Sequence, residues 1–197
     1  MTPAEYQIGV LATASGDMDA IADRIQSPFV VHFMHAVMGL SSELGELLEY
    51  SDECNLLEEL GDSLWYCTLG LFACGKDLAL PKKIDPLDLK CMTDELFELM
   101  CRDLAVLYGK LLSMVKARIF YGREIKKELA SEYFTEISEV LFELGYRFGA
   151  TPEHVMNLNN KKLLDKQNGR YRKGKFTEEA AEKRDLAKER SVLEDAK

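Results

Sequence analysis

Two stretches, His35-Ala-Val-Met-Gly-Leu-Ser-Ser-Glu43-Leu-Gly-Glu46-Leu47 and Asn55-Leu-Leu-Glu-Glu59-Leu-Gly-Asp62-Ser-Leu-Trp65-Tyr66, set acidic pairs inside apolar surroundings. Apolar residues recur at helical spacing through both, at Met34, Val37, Leu40, Leu44 and Leu47, then at Leu57, Leu60, Leu64 and Leu71. Residues three apart on a helix share a face, so Glu43 and Glu46 point the same way, as do Glu59 and Asp62. Packed antiparallel, the two helices can bring all four carboxylates into one small volume. At about 5–6 Å and an effective dielectric near 20, each like-charge pair costs about 3 kcal/mol. Several such pairs would rival the stability of a whole domain, about 5–15 kcal/mol. Converged carboxylates therefore need protons or cations, and hard oxygen ligands favour Mg²⁺, with Mn²⁺ as a substitute. The competing reading makes the four acids ordinary solvated helix residues, as most glutamates are.

Outward from this pair the chain reads as all-α. The spacing predicts helices from about Phe29 to Tyr50, Cys54 to Cys74, Met92 to Phe120 and Ile125 to Phe148. Gly75-Lys-Asp77 closes the second of these, and Pro81 and Pro86 mark a linker. Thr151 is placed to cap a helix whose first residue is Pro152, Asn168-Gly169 marks a turn, and Thr177 opens a last polar helix. No strand is expected, although Phe29-Val-Val-His-Phe33 can mimic one. We read 1–197 as a single domain: residues 1–80 as a metal-binding half, 87–160 as a degenerate repeat of it, and 161–197 as a basic segment with a C-terminal helix. The repeat lays Glu59, Asp62 and Trp65 on Glu136, Glu139 and Phe142, and lays Glu43 and Glu46 on Leu107 and Lys110. A second cage built this way loses half its acids. The same likeness can also arise from helix-packing rules alone.

Net charge is −9, yet residues 161–175 hold seven Lys or Arg and one acid, a local +6 that leaves −15 on the rest. An acidic body argues against a nucleic-acid polymer as partner. A basic segment beside an acidic site suits a small polyanion bridged by metal, while its plain alternative is a solvated loop. The five cysteines (Cys54, Cys67, Cys74, Cys91 and Cys101) are odd in number, contain no Cys-x-x-Cys, and read as buried reduced thiols. No apolar run is long enough to span a bilayer, and the start of the chain lacks the pattern of a signal peptide, so a cytoplasmic protein is expected.

The two acidic stretches, the opening Glu5-Tyr6-Gln7 with Thr13-Ala14, and the closing Asn159-Asn-Lys-Lys162-Leu163, Arg170-Tyr171, Lys175-Phe-Thr-Glu-Glu-Ala and Arg184-Asp185 occur in one order. Together they resemble the MazG-like all-α nucleoside triphosphate pyrophosphohydrolases, particularly small bacteriophage-type members, which would act in the host cytoplasm. Three departures stand out. Ser42 occupies a position where the family usually has a further acid, Asp165-Lys-Gln-Asn168 is inserted before Arg170, and residues 78–146 are extra relative to a compact member.

The resemblance implies cleavage of a nucleoside or deoxynucleoside triphosphate between its α- and β-phosphates. Glu43, Glu46, Glu59 and Asp62 would then hold Mg²⁺, and Glu46 is our preferred general base. Lys162, Arg170 and Arg172 would grip the outer phosphates. Trp65, one turn beyond Asp62, either walls the base pocket or joins the core. His35 would line the pocket, and His32 reads as a packed, hydrogen-bonded imidazole. A His32-x-x-His35 metal site ranks low without a close acidic third ligand. Asn159 and Tyr171 are candidates for phosphate or ribose contact. Apolar helix faces suggest a homodimer or homotetramer. Two rival readings remain open: a non-catalytic helical scaffold, favoured by Ser42 and the eroded repeat, and a pyrophosphohydrolase acting on phosphoribosyl-ATP.

Overall fold

A computed structural model describes residues 1–81 and 92–194. Those residues form an all-α protein without strands, in the order α1 (Pro3–Thr13), α2 (Met18–Ile25), α3 (Pro28–Leu48), α4 (Glu53–Cys74), α5 (Asp94–Tyr121), α6 (Lys127–Arg147), α7 (Pro152–Leu164), α8 (Glu178–Glu182) and α9 (Leu186–Glu194). Pro86 and Cys91 lie outside the described residues.

Local chemistry sets the ends of the two helices that carry the acid pairs. Pro28 pre-sets the first turn of α3. Asp52 caps α4 by accepting from the N–H groups of Cys54 and Asn55 at 2.9 and 3.0 Å. Gly75, in the left-handed region at φ 76°, ends it. Thr151 accepts from the His154 N–H at 3.2 Å and so starts α7 with Pro152 at its first position. The Phe29–Phe33 segment is helical, because it continues the 3.6-residue apolar stripe of α3. The last polar helix expected from Thr177 is two helices instead. Asp185 accepts from the Lys188 N–H at 3.2 Å and makes a fresh start for α9.

Helix α3 packs on α4 and α5, α4 also packs on α6 and α7, and α5 packs on α6, so two helical hairpins share one core. Phe33, Leu40 and Leu47 of α3, Leu56, Leu60 and Leu71 of α4, Leu104 and Leu111 of α5, and Phe134 and Ile137 of α6 are fully or almost fully buried. Each such side chain stabilises the fold by about 1.5–3 kcal/mol relative to exposure. A Cβ on Gly70 would come within 2.2 Å of the Phe134 ring, so the absence of a side chain there lets α4 and α6 close on each other. Cys54, Cys67, Cys74 and Cys101 are buried reduced thiols. Among the described residues, no helix is long and apolar enough to cross a membrane.

Candidate active site

The acids of α3 lie towards its C-terminal end and those of α4 towards its N-terminal end, so the antiparallel pairing brings them to the same end of the hairpin. Glu43, Glu46 and Glu59 each offer a carboxylate oxygen, and these atoms lie within 4.8 Å of one another. Glu43 is 7% exposed and Glu59 is 5% exposed. Glu46 is open to solvent. Burial, reinforced by the charges of Asp62, Glu46 and Glu59, pushes the Glu43 carboxyl up to about 8. Burial, with Glu58, Glu46 and Asp62, pushes Glu59 up to about 7. The Lys162 ammonium opposes both shifts without cancelling them. Asn55, one turn before Glu59, donates to its Oε1 at 2.6 Å and fixes that carboxyl.

This donor set fits a hard divalent cation. Three carboxylate oxygens on flexible side chains are the hard ligands that Mg²⁺ and Mn²⁺ take. No other group of three or more His, Cys, Asp or Glu comes within such reach among the described residues.

Asp62 stands outside the triad. Its Oδ1 accepts from Asn159 Nδ2 at 2.6 Å and its Oδ2 from Lys162 Nζ at 2.5 Å. Lys162 Nζ also donates to Glu58 Oε1 at 3.1 Å. The approach of α7 depends on Gly61, where a Cβ would lie 2.9 Å from the Asn159 Cβ. Lys162 was expected to face the outer phosphates, but its side chain is fully enclosed and committed to Glu58 and Asp62. A buried ammonium must be paired, and these two acids lie across the α4–α7 interface.

Arg170 is likewise engaged. Its Nε donates to Glu189 Oε1 at 2.9 Å and its Nη2 to Oε2 at 2.5 Å, a bidentate fork to a residue only 3% exposed. Arg184 adds a bond of 3.1 Å to the same carboxylate. Burial works against the Arg170 cation, but Glu189 and the more distant Asp62 hold its acidity below the ordinary arginine level. The segment after α7 folds back onto that helix: the Arg170 and Tyr171 N–H groups donate to the Lys162 and Leu163 carbonyls at 3.0 and 2.7 Å. Within the inserted stretch, Asp165 Oδ1 accepts from the N–H groups of Gln167 and Asn168 at 2.9 and 2.7 Å, so the insertion is an ordered turn.

This turn and α8 enclose a cavity of about 360 Å³, whose wall includes Tyr171, Arg172, Lys173, Lys175 and Lys183. Arg172, Lys173 and Lys175 are exposed, and Tyr171 rests against Phe176 with ring centroids 5.6 Å apart. Arg170 and Tyr171 of the cavity wall act electrostatically on Tyr66. Burial, then the charges of Glu43 and Asp62, raises the pKa of the Tyr66 hydroxyl, and Arg170 opposes this.

Tyr66 also belongs to an aromatic group: its ring lies 5.5 Å from His35 and 5.0 Å from Trp65, and His35 lies 5.8 Å from Trp65. Trp65 is 41% exposed, so it walls a surface rather than filling the core. Burial, with the neighbouring His32, holds His35 below the usual imidazole value. His32 was expected to be packed and hydrogen-bonded, but it is exposed, with its ring 6.1 Å from Phe72. Its position on α3 falls beyond the buried stripe, which explains the difference.

Sequence reasoning missed Asn55, Glu58, Tyr66 and Glu189. Asn55 was legible, since it sits four residues before Glu59 on the same face. Nothing in the spacing of α9 marks Glu189. The repeat positions Leu107, Lys110, Glu136 and Glu139 all line a separate cavity of about 820 Å³ beside α5 and α6. Searches against protein-family models, curated proteins and solved structures find no match to this chain.

Proposed function

We propose that the chain is a divalent-metal-dependent nucleotide pyrophosphohydrolase of the MazG-like type, cleaving a nucleoside or deoxynucleoside triphosphate between its α- and β-phosphates. The observation that carries this reading is the burial of Glu43 and Glu59 within 4.8 Å of Glu46, under-compensated by protein cations. Glu43, Glu46 and Glu59 would hold Mg²⁺ or Mn²⁺. Asp62 keeps lone pairs beyond those given to Lys162 and Asn159, and would have to turn towards the triad to join them. When bound, such an ion neutralises charge on phosphate oxygens and orients them for in-line displacement.

The chain's own groups supply the rest. Glu46, the triad's solvent-facing member, accepts the proton of the attacking water. The water oxygen bonds to the α-phosphorus, the bond from that phosphorus to the bridging oxygen breaks, and the electron pair leaves with pyrophosphate. Arg172, Lys173 and Lys175 offer cations to the leaving group from the cavity wall. Arg170, fixed by Glu189, holds the wall's shape and adds its charge at a distance. Trp65, with His35 at its edge, offers a face for the base.

The α5–α6 pair is read as an altered copy of α3–α4. Leu107 and Lys110 stand where the first copy has two acids, and although Asp103, Glu136, Glu139 and Glu143 line its cavity, no three acidic groups converge there among the described residues.

The test is to incubate the protein with each NTP and dNTP, and with phosphoribosyl-ATP, in Mg²⁺ and to resolve the products. Monophosphate with pyrophosphate is expected from a triphosphate. Formation of the nucleoside diphosphate, or release of inorganic phosphate without pyrophosphate, overturns the reading. Absence of turnover on every substrate points to the non-catalytic scaffold.

A further inference from the structure

Two hydroxyls are sealed inside the protein without a hydrogen-bond partner. Tyr108 of α5 is 3% exposed and Ser63 of α4 is fully buried, and neither side-chain oxygen is bonded to another group. No other fully enclosed side-chain nitrogen or oxygen among the described residues is left in this condition. A buried donor without an acceptor costs stability, so nearly all native ones are paired. Two in one place therefore call for a cause.

Their position in the fold supplies one. Glu59, Ser63 and Cys67 follow at intervals of four along one face of α4, so Ser63 lies one turn beyond the Glu59 of the triad. Tyr108 sits in the buried stripe of α5 between Leu104 and Leu111. Helix α5 packs on α3, where Glu43 holds the matching place between Leu40 and Leu47. Burial and then the neighbouring Cys67 push the Tyr108 phenol up, Cys101 and Glu43 add to the rise, and the phenol stays a proton donor. Ser63 stands close enough to oppose that shift, although the two oxygens do not meet with hydrogen-bond geometry. The phenol thus lies at the α3–α4 seam, on the core side of the acids.

An acceptor is missing its donor at the same seam. Glu59 receives Asn55, and Asp62 receives Asn159 and Lys162. Glu43 is 7% exposed, and among the described residues no hydrogen bond reaches its carboxyl.

We propose that Tyr108 is a positioning residue of the metal cage: its hydroxyl donates to the inner oxygen of the Glu43 carboxylate when that group holds a divalent cation, with Ser63 donating to the phenol oxygen behind it. The inference rests on the metal site proposed above, and not on which nucleotide is cleaved. Partners behind a metal-ligating carboxylate fix its orientation, here turning one oxygen inward and leaving the other for the cation. The same step satisfies both orphan hydroxyls, since a phenol can donate and accept at once. In the repeat Tyr108 falls on Leu44, so the altered copy supports the first copy's cage in place of the acids it lacks.

The test measures Mn²⁺ binding to the full chain without nucleotide, from the loss of the free ion's paramagnetic resonance signal. Tyr108→Phe keeps the ring and removes only the oxygen. It should weaken Mn²⁺ binding by about 10-fold or more. Its metal-free melting temperature should equal or exceed that of the wild type, because no bond is lost in that state. Ser63→Ala should weaken binding less, and should change nothing further when added to Tyr108→Phe, since the serine acts through the tyrosine. Unchanged Mn²⁺ affinity in Tyr108→Phe overturns the positioning role while leaving the metal site intact. A lower metal-free melting temperature would assign the hydroxyl to the fold itself and overturns it as well. A wild type that binds no Mn²⁺ removes the cage, and this proposal with it.

Discussion

Glu43→Gln removes one buried charge and keeps the side chain's shape, so it should stabilise the metal-free protein at pH 8 and abolish most stabilisation by Mn²⁺. The size follows from the Glu43 carboxyl, displaced from an ordinary value of 4.5 to about 8. At about 1.36 kcal/mol per pH unit, that displacement amounts to at most about 5 kcal/mol, and solvent screening at the open side of the triad reduces it to about 2 kcal/mol. The fold retains a proton that the unfolded chain releases. Wild-type stability is therefore full below about 4.5 and declines as pH rises through about 8. Glu59, raised to about 7, adds a decline of the same sign.

For a chain of 197 residues, 2 kcal/mol corresponds to a rise in Tm of roughly 4–8 °C at pH 8, with almost no change at pH 5. Metal separates the two proteins. At about 100 times its Kd, Mn²⁺ adds about 2.7 kcal/mol to the wild type, and the glutamine variant should lose most of that gain. The assay is calorimetric or fluorescence melting at both pH values, in chelator and in Mn²⁺. If the variant melts below the wild type at pH 8 in chelator, Glu43 is favourably paired, and the premise of frustrated carboxylates fails. Equal stabilisation of both proteins by Mn²⁺ would place the metal elsewhere.

Glu46→Gln should lower nucleotide hydrolysis by roughly 10²–10⁴-fold while the metal-free melt stays within about 1 kcal/mol of the wild type; undiminished pyrophosphate release would remove Glu46 from the proton-transfer role. Lys162→Met should destabilise by about 3–5 kcal/mol, because Glu58 and Asp62 lose their shared ammonium in a buried setting, and an unchanged urea midpoint would refute the pairing. Gly61→Ala should cost about 1–3 kcal/mol, since its Cβ would stand 2.9 Å from Asn159 Cβ, and a neutral result would mean that α7 yields freely there.

How much of this was legible in the chain depends on whether the deciding interaction is local. Helices α3 to α7 are readable because their apolar repeats and caps, such as Asp52 for α4 and Thr151 for α7, lie within a turn of what they control. The break between α8 and α9 turns on Asp185, one residue inside a polar stretch that otherwise supports continuous helix. The capping box that starts α1 is local, but whether anything lies against that helix is a tertiary fact. The sharing of a face by Glu59 and Asp62 is local. Which partner claims each carboxylate is not, because Lys162 reaches Asp62 from 100 residues away and Glu189 reaches Arg170 from another helix.

That non-local assignment divides the acids by their available partners. All four raise the same electrostatic demand, and the protein answers it for Asp62 with an ammonium and an amide. For Glu43 and Glu59 it offers an asparagine and a distant, already shared lysine, so burial keeps both carboxyls displaced upward. A purely structural acid cluster gains nothing by leaving two buried members uncompensated, since replacement by well-packed neutral residues is commonly neutral or stabilising. The imbalance is therefore the feature to explain, and a bound divalent cation would balance it.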